Sequence, residues 1–171
     1  IVYHNNTNDM NFITNTAVGM EIHSNGAVTK PLQPAFKVTQ TSALSVAEGH
    51  TLFSSNTTEV KDLNADFASG TFTAPVDGFY YISASILYES LGSGDTDTIE
   101  DTFVFSNGNE IISRAGKLNT ALSSGGFYMS NNATIAFMDA NDTVSCRHSD
   151  GGTLATHPNA PATHFEGYLL G

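Results

Sequence analysis

Basic residues are scarce in this chain: six Lys and Arg stand against 17 Asp and Glu over 171 residues, a formal net charge of −11 at pH 7. Lys30, Lys37, Lys61, Arg114, Lys117 and Arg147 are scattered along the sequence. No basic stripe exists to neutralise phosphates, which argues against nucleic acid or an anionic membrane surface as a partner. The acidity itself has two readings, solubility in a salty or crowded medium or a device for recognition. Cysteine is nearly absent. Cys146 stands alone, so no intrachain disulfide forms, and its alternation with Thr143, Ser145 and Arg147 points it inward beside Val144 as a small core residue. The other reading, a thiol activated by Arg147 or His148, is disfavoured because adjacent strand residues face opposite sides. No apolar run is long enough to span a bilayer, and no basic segment followed by an apolar one marks a signal peptide. The chain begins at Ile1 rather than Met, as expected of a processed product or the carboxy-terminal part of something longer.

Catalytic and cofactor motifs are missing too. His4, His23, His50, His148, His157 and His164 form no HExxH pattern, and one Cys with dispersed His lacks the paired spacing of a zinc site. There is no GxSxG elbow, and Gly92-Ser-Gly94 is followed by acids that would repel a phosphate. The expectation is a protein without cofactor or catalytic site.

What is present is strand. From Tyr80 the residues Tyr80, Ile82, Ala84, Ile86 and Tyr88 alternate with Tyr81, Ser83, Ser85 and Leu87, the period of two of a strand with one face on a core and the other more polar. Just before it, Pro75-Val76-Asp77-Gly78 reads as a corner, because Pro75 cannot donate to a ladder and Gly78 accepts backbone angles that other residues resist. Apolar residues at 40%, a quarter of them aromatic, suffice for a real core, which excludes intrinsic disorder.

Residues 1–33 differ in texture. They are rich in Asn and Thr, with short apolar alternations at Met10-Asn-Phe12 and Met20-Glu-Ile22 and a turn signal at Ser24-Asn25-Gly26. Such strands need neighbours to stack on, either a following domain or identical chains around a threefold axis. Pro31 and Pro34 stiffen the joint and set a boundary there, leaving residues 34–171 as the main domain. In that domain strands are expected at Phe36 to Thr41, Thr51 to Phe53, Thr71 to Ala74, Phe79 to Tyr88, Asp101 to Phe105 and Glu110 to Ser113. Further strands are expected at Gly126 to Ser130, Thr134 to Met138, Thr143 to His148 and His164 to Leu170. Ser106-Asn107-Gly108-Asn109 is the strongest hairpin signal. Many short strands without βαβ alternation predict an all-β antiparallel sandwich.

The spacing Phe72, Gly78, Tyr80 together with the ending Phe165, Gly167, Leu169, Leu170 resembles the head domain of the complement C1q family, a relative of tumour necrosis factor. Pro34-Ala35-Phe36 is similar to that family's first strand, and Asn141-Asp142-Thr-Val144 to its penultimate turn. The chain departs from the pattern at Ile82 and Ala84, and at Val60 and Ala65. The passage from Phe12 to Phe36 resembles the shaft-to-head junction of tail-fibre and other structural proteins of bacterial viruses. The resemblance implies a ten-stranded jelly roll that assembles as a homotrimer, with Phe36, Phe72, Pro75, Gly78, Tyr80, Tyr88, Phe127, Phe165, Gly167 and Tyr168 as its fold and trimer signature. Tyr80, Tyr88, Phe127, Phe165 and Tyr168 are candidates for the threefold contact or for the core of one subunit.

Some family members bind calcium through carboxylates in a loop that corresponds here to Arg114–Gly126, but RAGKLNTALSSGG holds no acid, so that site does not carry over. The separate acidic run Asp95, Asp97, Glu100 and Asp101 is either a source of hard oxygen ligands or a solvated loop, and it lacks the calcium-loop signature. The long Gly-, Ser- and Asn-rich stretches Glu89–Glu100, Arg114–Gly126 and Ser149–Ala162 are the expected ligand loops, with Asp95, Asp97, Glu100, Asn119, Asp150 and His157 as candidate contacts. The function expected is a noncatalytic trimeric head of a phage fibre or virion protein. Its partners would be other virion proteins or a host-surface receptor or glycan. Two alternatives stand beside it: a secreted C1q-like recognition protein, and a fibre-borne glycan-cleaving enzyme that would need facing carboxylates, with Glu89 or Asp101 as candidates.

Overall fold

Period-two sequence becomes antiparallel sheet throughout. The computed structural model describes residues 1–4, 7–91, 100–106, 110–114, 126–150, 154–157 and 162–170, and no helix occurs among them. The chain divides into two compact units, Ile1–Pro34 and Ala35–Gly171.

The first unit is a single four-stranded sheet in the order β1 (Val2–His4), β2 (Asp9–Thr14), β3 (Ala17–Ile22), β4 (Val28–Thr29). Asn15 and Thr16, both at positive φ, make the tight turn between β2 and β3, the backbone that a two-residue hairpin with native twist demands. At Ser24-Asn25-Gly26 the Ala27 amide donates to Asn25 Oδ1 at 2.9 Å, and Gly26 takes a φ of 84°. Register places Tyr3, Met10, Ile22 and Val28 in one row across all four strands. Tyr3, Met10 and Val28 are exposed, since a single layer has nothing of its own to bury them against.

The second unit is a two-layer sandwich. One layer contains β5 (Ala35–Gln40), β6 (Leu44–Val46), β7 (Thr57–Asp62), β10 (Gly78–Leu91), β13 (Gly126–Met138), β15 (Leu154–Thr156) and β16 (His164–Leu169). The other contains β8 (Phe67–Ala68), β9 (Thr71–Thr73), β11 (Glu100–Phe105), β12 (Glu110–Arg114) and β14 (Thr143–Asp150). β15 and β16 lie along the same side of β10 and pair with β6 and β5 respectively. β15 and β16 together thus occupy one strand position, as do β6 and β5, and each layer has five, in the orders β7, β5/β6, β16/β15, β10, β13 and β12, β11, β14, β9, β8. This is the expected all-β jelly-roll sandwich.

Aromatic side chains hold the layers together. Phe36 of one layer stacks on Phe72 of the other at 4.7 Å between ring centres, Phe72 meets Tyr80 at 5.5 Å, and Phe103 stacks on Phe165 at 5.9 Å. All five are essentially inaccessible, and each such ring contributes about 2–3 kcal/mol by leaving water. The alternation read along β10 holds: Tyr80, Ile82, Ala84, Ile86 and Tyr88 are buried, and Cys146 is buried two positions from Val144.

Several local expectations change. Thr51 to Phe53 is not a strand: Thr51 makes one isolated bridge to Arg147, and Phe53 turns at a φ of 60° to place its ring against Phe165. Gly126–Met138 is one strand rather than two, because β10 is long enough to offer a continuous ladder past Asn131 and Asn132. At the Pro75 to Gly78 corner no residue has positive φ; Gly78 already sits in β10 opposite Met138. The bend is held instead by hydrogen bonds, from Tyr80 Oη to Val76 O at 2.8 Å and from the Ala140 amide to Asp77 Oδ1 at 2.7 Å. A left-handed glycine that does matter for packing is Gly70, between β8 and β9, at a φ of 82°, where a Cβ would lie 2.6 Å from Leu52 O. β11 and β12 pair antiparallel as the hairpin signal requires, while its tip, residues 107–109, lies outside the described residues.

Candidate functional site

The layer built on β10 has a second face, and nothing described covers it. Alternation that sends Tyr80, Ile82 and Phe165 inward sends Phe79, Tyr81 and Tyr168 outward. Phe79 pairs with Phe137 across the β10–β13 ladder, edge to face at 5.3 Å, and Tyr81 meets Tyr168 of β16 at 5.3 Å while pairing with Ile135 of β13. Phe79 (52%), Ile135 (60%), Phe137 (50%) and Tyr168 (46%) keep half their surface in water, with Leu170 beside them. At the other end of the same strands Met129 and Phe127 are exposed. Between the two apolar zones lies a shallow depression of about 250 Å³ lined by Ser83, Ser85, Asn131, Ala133 and His164. At its margin Lys37 Nζ donates to Glu166 Oε2 at 2.6 Å, a half-exposed ion pair.

This face sorts the residues that the resemblance left open between threefold contact and core. Tyr80, Tyr88 and Phe165 are fully buried inside one chain and have no surface to offer a second copy. Phe127 and Tyr168 are on the uncovered face. Phe79, Tyr81, Ile135 and Phe137, which sequence reasoning did not single out, form most of it; the signal was their apolar character at positions out of phase with the buried set. Among the signature residues, Phe36 and Phe72 are core and Pro75 is exposed at the corner. Gly167 has a steric reason. A Cβ there would fall 2.8 Å from both Ile82 Cδ1 and Phe36 Cε1 and 2.9 Å from Tyr81 O, so only glycine lets β16 lie flat against the core rings.

At the far end of β10 the structure describes part of the expected ligand region. His157 Nε2 lies 3.6 Å from Glu89 Oε2, its ring sits edge-on to Phe127 at 5.3 Å, and its amide donates to Leu87 O at 2.7 Å. Glu100 opens β11 opposite Arg114 on one side and Asp150 on the other. Asp95, Asp97 and Asn119 lie outside the described residues, as do most of the three loops.

A polar cluster missed in the sequence sits in the core. Tyr88 of β10 donates through Oη to Asp101 Oδ1 of β11 at 2.6 Å, and His148 Nδ1 of β14 is 3.2 Å from the same oxygen. Asp101 Oδ2 and His148 Nε2 have no partner, and both side chains are fully buried. Burial first, then the Asp101 charge, holds the Tyr88 phenol well above its usual pKa, and the same two causes in the same order push the Cys146 thiol up. A neutral thiol inside the sandwich is no nucleophile. Asp101 is likewise removed from any groove, which takes it out of the pair of facing carboxylates that glycan cleavage requires.

No family model matches the sequence, and no curated protein matches it either. Solved structures do match. The globular domain of zebrafish complement 1qA protein superposes with a TM-score of 0.59 at 16% identity, covering 81% of this chain and 98% of that one. Eiger TNF from S. frugiperda superposes at 0.61 and 14% identity, covering 81% and 93%. The chain therefore has the C1q/TNF jelly-roll fold, as its Phe72, Gly78, Tyr80 and Phe165, Gly167 spacings implied.

Proposed function

We propose that the chain is a noncatalytic recognition and assembly module. Its sandwich self-associates as a homotrimer through the face of β10, β13 and β16, and its loop end meets a receptor or glycan on a cell surface. The observation that carries the reading is the half-exposed cluster of Phe79, Ile135, Phe137 and Tyr168, with the partly exposed Tyr81 among them. Contiguous apolar surface of this kind is normally covered by a partner, and obligate interfaces of roughly 2,000 Å² or more resemble a core cut in half. The fold is shared with C1q and TNF domains, and the homotrimer that the family resemblance implies is in keeping with a partner on this face. The texture of the N-terminal sheet supports a place on a virion fibre or appendage, with other virion proteins as neighbours.

Sedimentation equilibrium of the whole chain tests the assembly. Three copies per particle are expected, and Phe137→Ser is expected to yield a folded monomer. A wild-type chain that is monomeric at micromolar concentration overturns the reading. A second placement, on a secreted recognition protein, draws on the animal origin of both similar heads. Antibody labelling of virus particles against the secreted fraction distinguishes the two.

A further inference from the structure

The face of the N-terminal sheet opposite the Tyr3, Met10, Ile22 and Val28 row carries different chemistry. His4 faces Asp9 across the first ladder, and Asn11 faces Glu21 across the second, with Thr29 beyond Glu21. His23 follows Ile22, the partner of Met10, and so comes level with Asp9. One carboxylate oxygen each from Asp9 and Glu21 and one ring nitrogen of His23 lie within 4.8 Å of one another. His23 Nε2 is 3.8 Å from Glu21 Oε2 and 3.0 Å from Thr29 Oγ1. Asp9 is also anchored: the Ser24 amide donates to its Oδ1 at 2.9 Å.

A second observation comes from a neutral residue. Asn11 is only 8% exposed, and its Oδ1 has no hydrogen-bond partner. Two residues along β2 from Asp9 and directly across from Glu21, it shares their face of the sheet. A buried acceptor without a partner among the described residues, on the sheet face that carries two carboxylates and an imidazole, costs about 1–3 kcal/mol unless a positive group reaches it.

We propose that Asp9, Glu21 and His23, backed by the Asn11 amide oxygen, bind a divalent first-row transition-metal ion, of which Zn²⁺ is the best fit. The imidazole nitrogen selects against Ca²⁺ and Mg²⁺, which take oxygen ligands. Ligands about 2.0–2.1 Å from a tetrahedral Zn²⁺ sit roughly 3.4 Å apart, so the 3.8 Å between His23 Nε2 and Glu21 Oε2 closes with a small side-chain rotation. The Thr29 hydroxyl would then yield its contact with Nε2 to the ion. Partial exposure of all three ligands leaves room for water to complete the shell. Bound there, the ion ties the start of β2, the end of β3 and the turn after it, a staple for a sheet with little core of its own.

Calorimetric titration of the whole chain with ZnCl₂ tests this, beside Mn²⁺ and Ca²⁺. One Zn²⁺ per chain in the micromolar range is expected, with Mn²⁺ and Ca²⁺ weaker. His23→Ala and the near-isosteric Glu21→Gln should each weaken binding about tenfold or more, while His164→Ala in the sandwich should not. Hydrogen exchange read in parallel should show Zn²⁺ slowing the amides of residues 9–29, and it verifies that each variant keeps its sheet. Binding unchanged by both His23→Ala and Glu21→Gln overturns the proposal, as does Ca²⁺ binding tighter than Zn²⁺ or no Zn²⁺ binding at micromolar concentration.

Discussion

The two faces of the sheet formed by β16, β10 and β13 are made from similar residues and meet opposite fates. Inward, Tyr80, Ile82, Tyr88 and Phe165 are fully buried; outward, Phe79, Ile135, Phe137 and Tyr168 stay about half in water. Aromatic content alone therefore does not mark the core. What marks it is a second layer within reach: Phe72 and Phe103 of that layer complete the packing on one side, and no described residue of the sandwich does so on the other. Apolar residues on both faces of a strand fit two packing partners: the sandwich supplies one, and the proposed assembly would supply the other.

The sharpest way to break this comparison is to shave one ring from each face. Phe165→Ala removes a ring that touches Phe36, Phe53, Phe67 and Phe103, and denaturant unfolding should report a loss of about 3–5 kcal/mol. Phe137→Ser, on the uncovered face, should cost under about 1 kcal/mol in the isolated chain while dispersing the assembly. Equal destabilisation by both would mean that the outer face is packed within the chain.

Gly167→Ala probes the inner face by overfilling it. The added methyl meets Ile82, Phe36 and the Tyr81 carbonyl at 2.8–2.9 Å, which thermal or chemical unfolding should register as a loss of about 1–3 kcal/mol. A neutral result would show that β16 can lift away from the core rings.

How far the sequence revealed this division depends on the residue. The inward set was legible because β10 carries an apolar residue at every second position from Tyr80 to Tyr88 and because Phe72, Phe165 and Gly167 have the spacing of a jelly roll. β7 was not legible. Its Thr57–Asp62 stretch is an edge strand that buries almost nothing, and its charges, Glu59 and Lys61, are what an unprotected edge needs. Asn131 and Asn132 look like turn formers, but β10 holds them in register as strand. Nor does periodicity reveal that Tyr88, Asp101 and His148, distant in sequence, meet across two layers. The outward aromatics were visible as residues, yet period two assigns them only to the other face, and whether that face is covered is a fact about three dimensions. The cluster of Asp9, Glu21 and His23 was hidden for a similar reason: the three come together only through hairpin register.

Alkaline pH distinguishes the faces by their protons. Cys146 and Tyr88 hold their protons more tightly folded than unfolded. Stability from them is intact below their unfolded values, 9.0 for the thiol and 10.0 for the phenol. It falls as pH rises through the higher folded values, by about 1.4 kcal/mol per pH unit for each group. Urea midpoints against pH should be level up to about 9 and then drop, and Cys146→Ala should postpone the drop by about one unit. An unshifted onset in that variant would mean that the thiol is not buried in the neutral form.

The smallest expected effect is the most informative about the uncovered face. Lys37 and Glu166 pair at 2.6 Å beside the polar depression, with side chains 41% and 31% exposed. In a lone chain that pair is solvated, and Lys37→Ala should cost about 0–1 kcal/mol, screened further by salt. If copies of the chain close over this face, water leaves the pair, and removing Lys37 strands the Glu166 carboxylate in the interface at a cost of about 3–5 kcal/mol. The same substitution thus reads differently on the two sides of the association equilibrium. Unfolding of Lys37→Ala below and above the concentration at which the wild type assembles should show a penalty that grows with assembly. A penalty equally small at both concentrations would place Lys37 and Glu166 outside the contact, shifting the interface toward the Phe79, Ile135 and Phe137 end of the sheet.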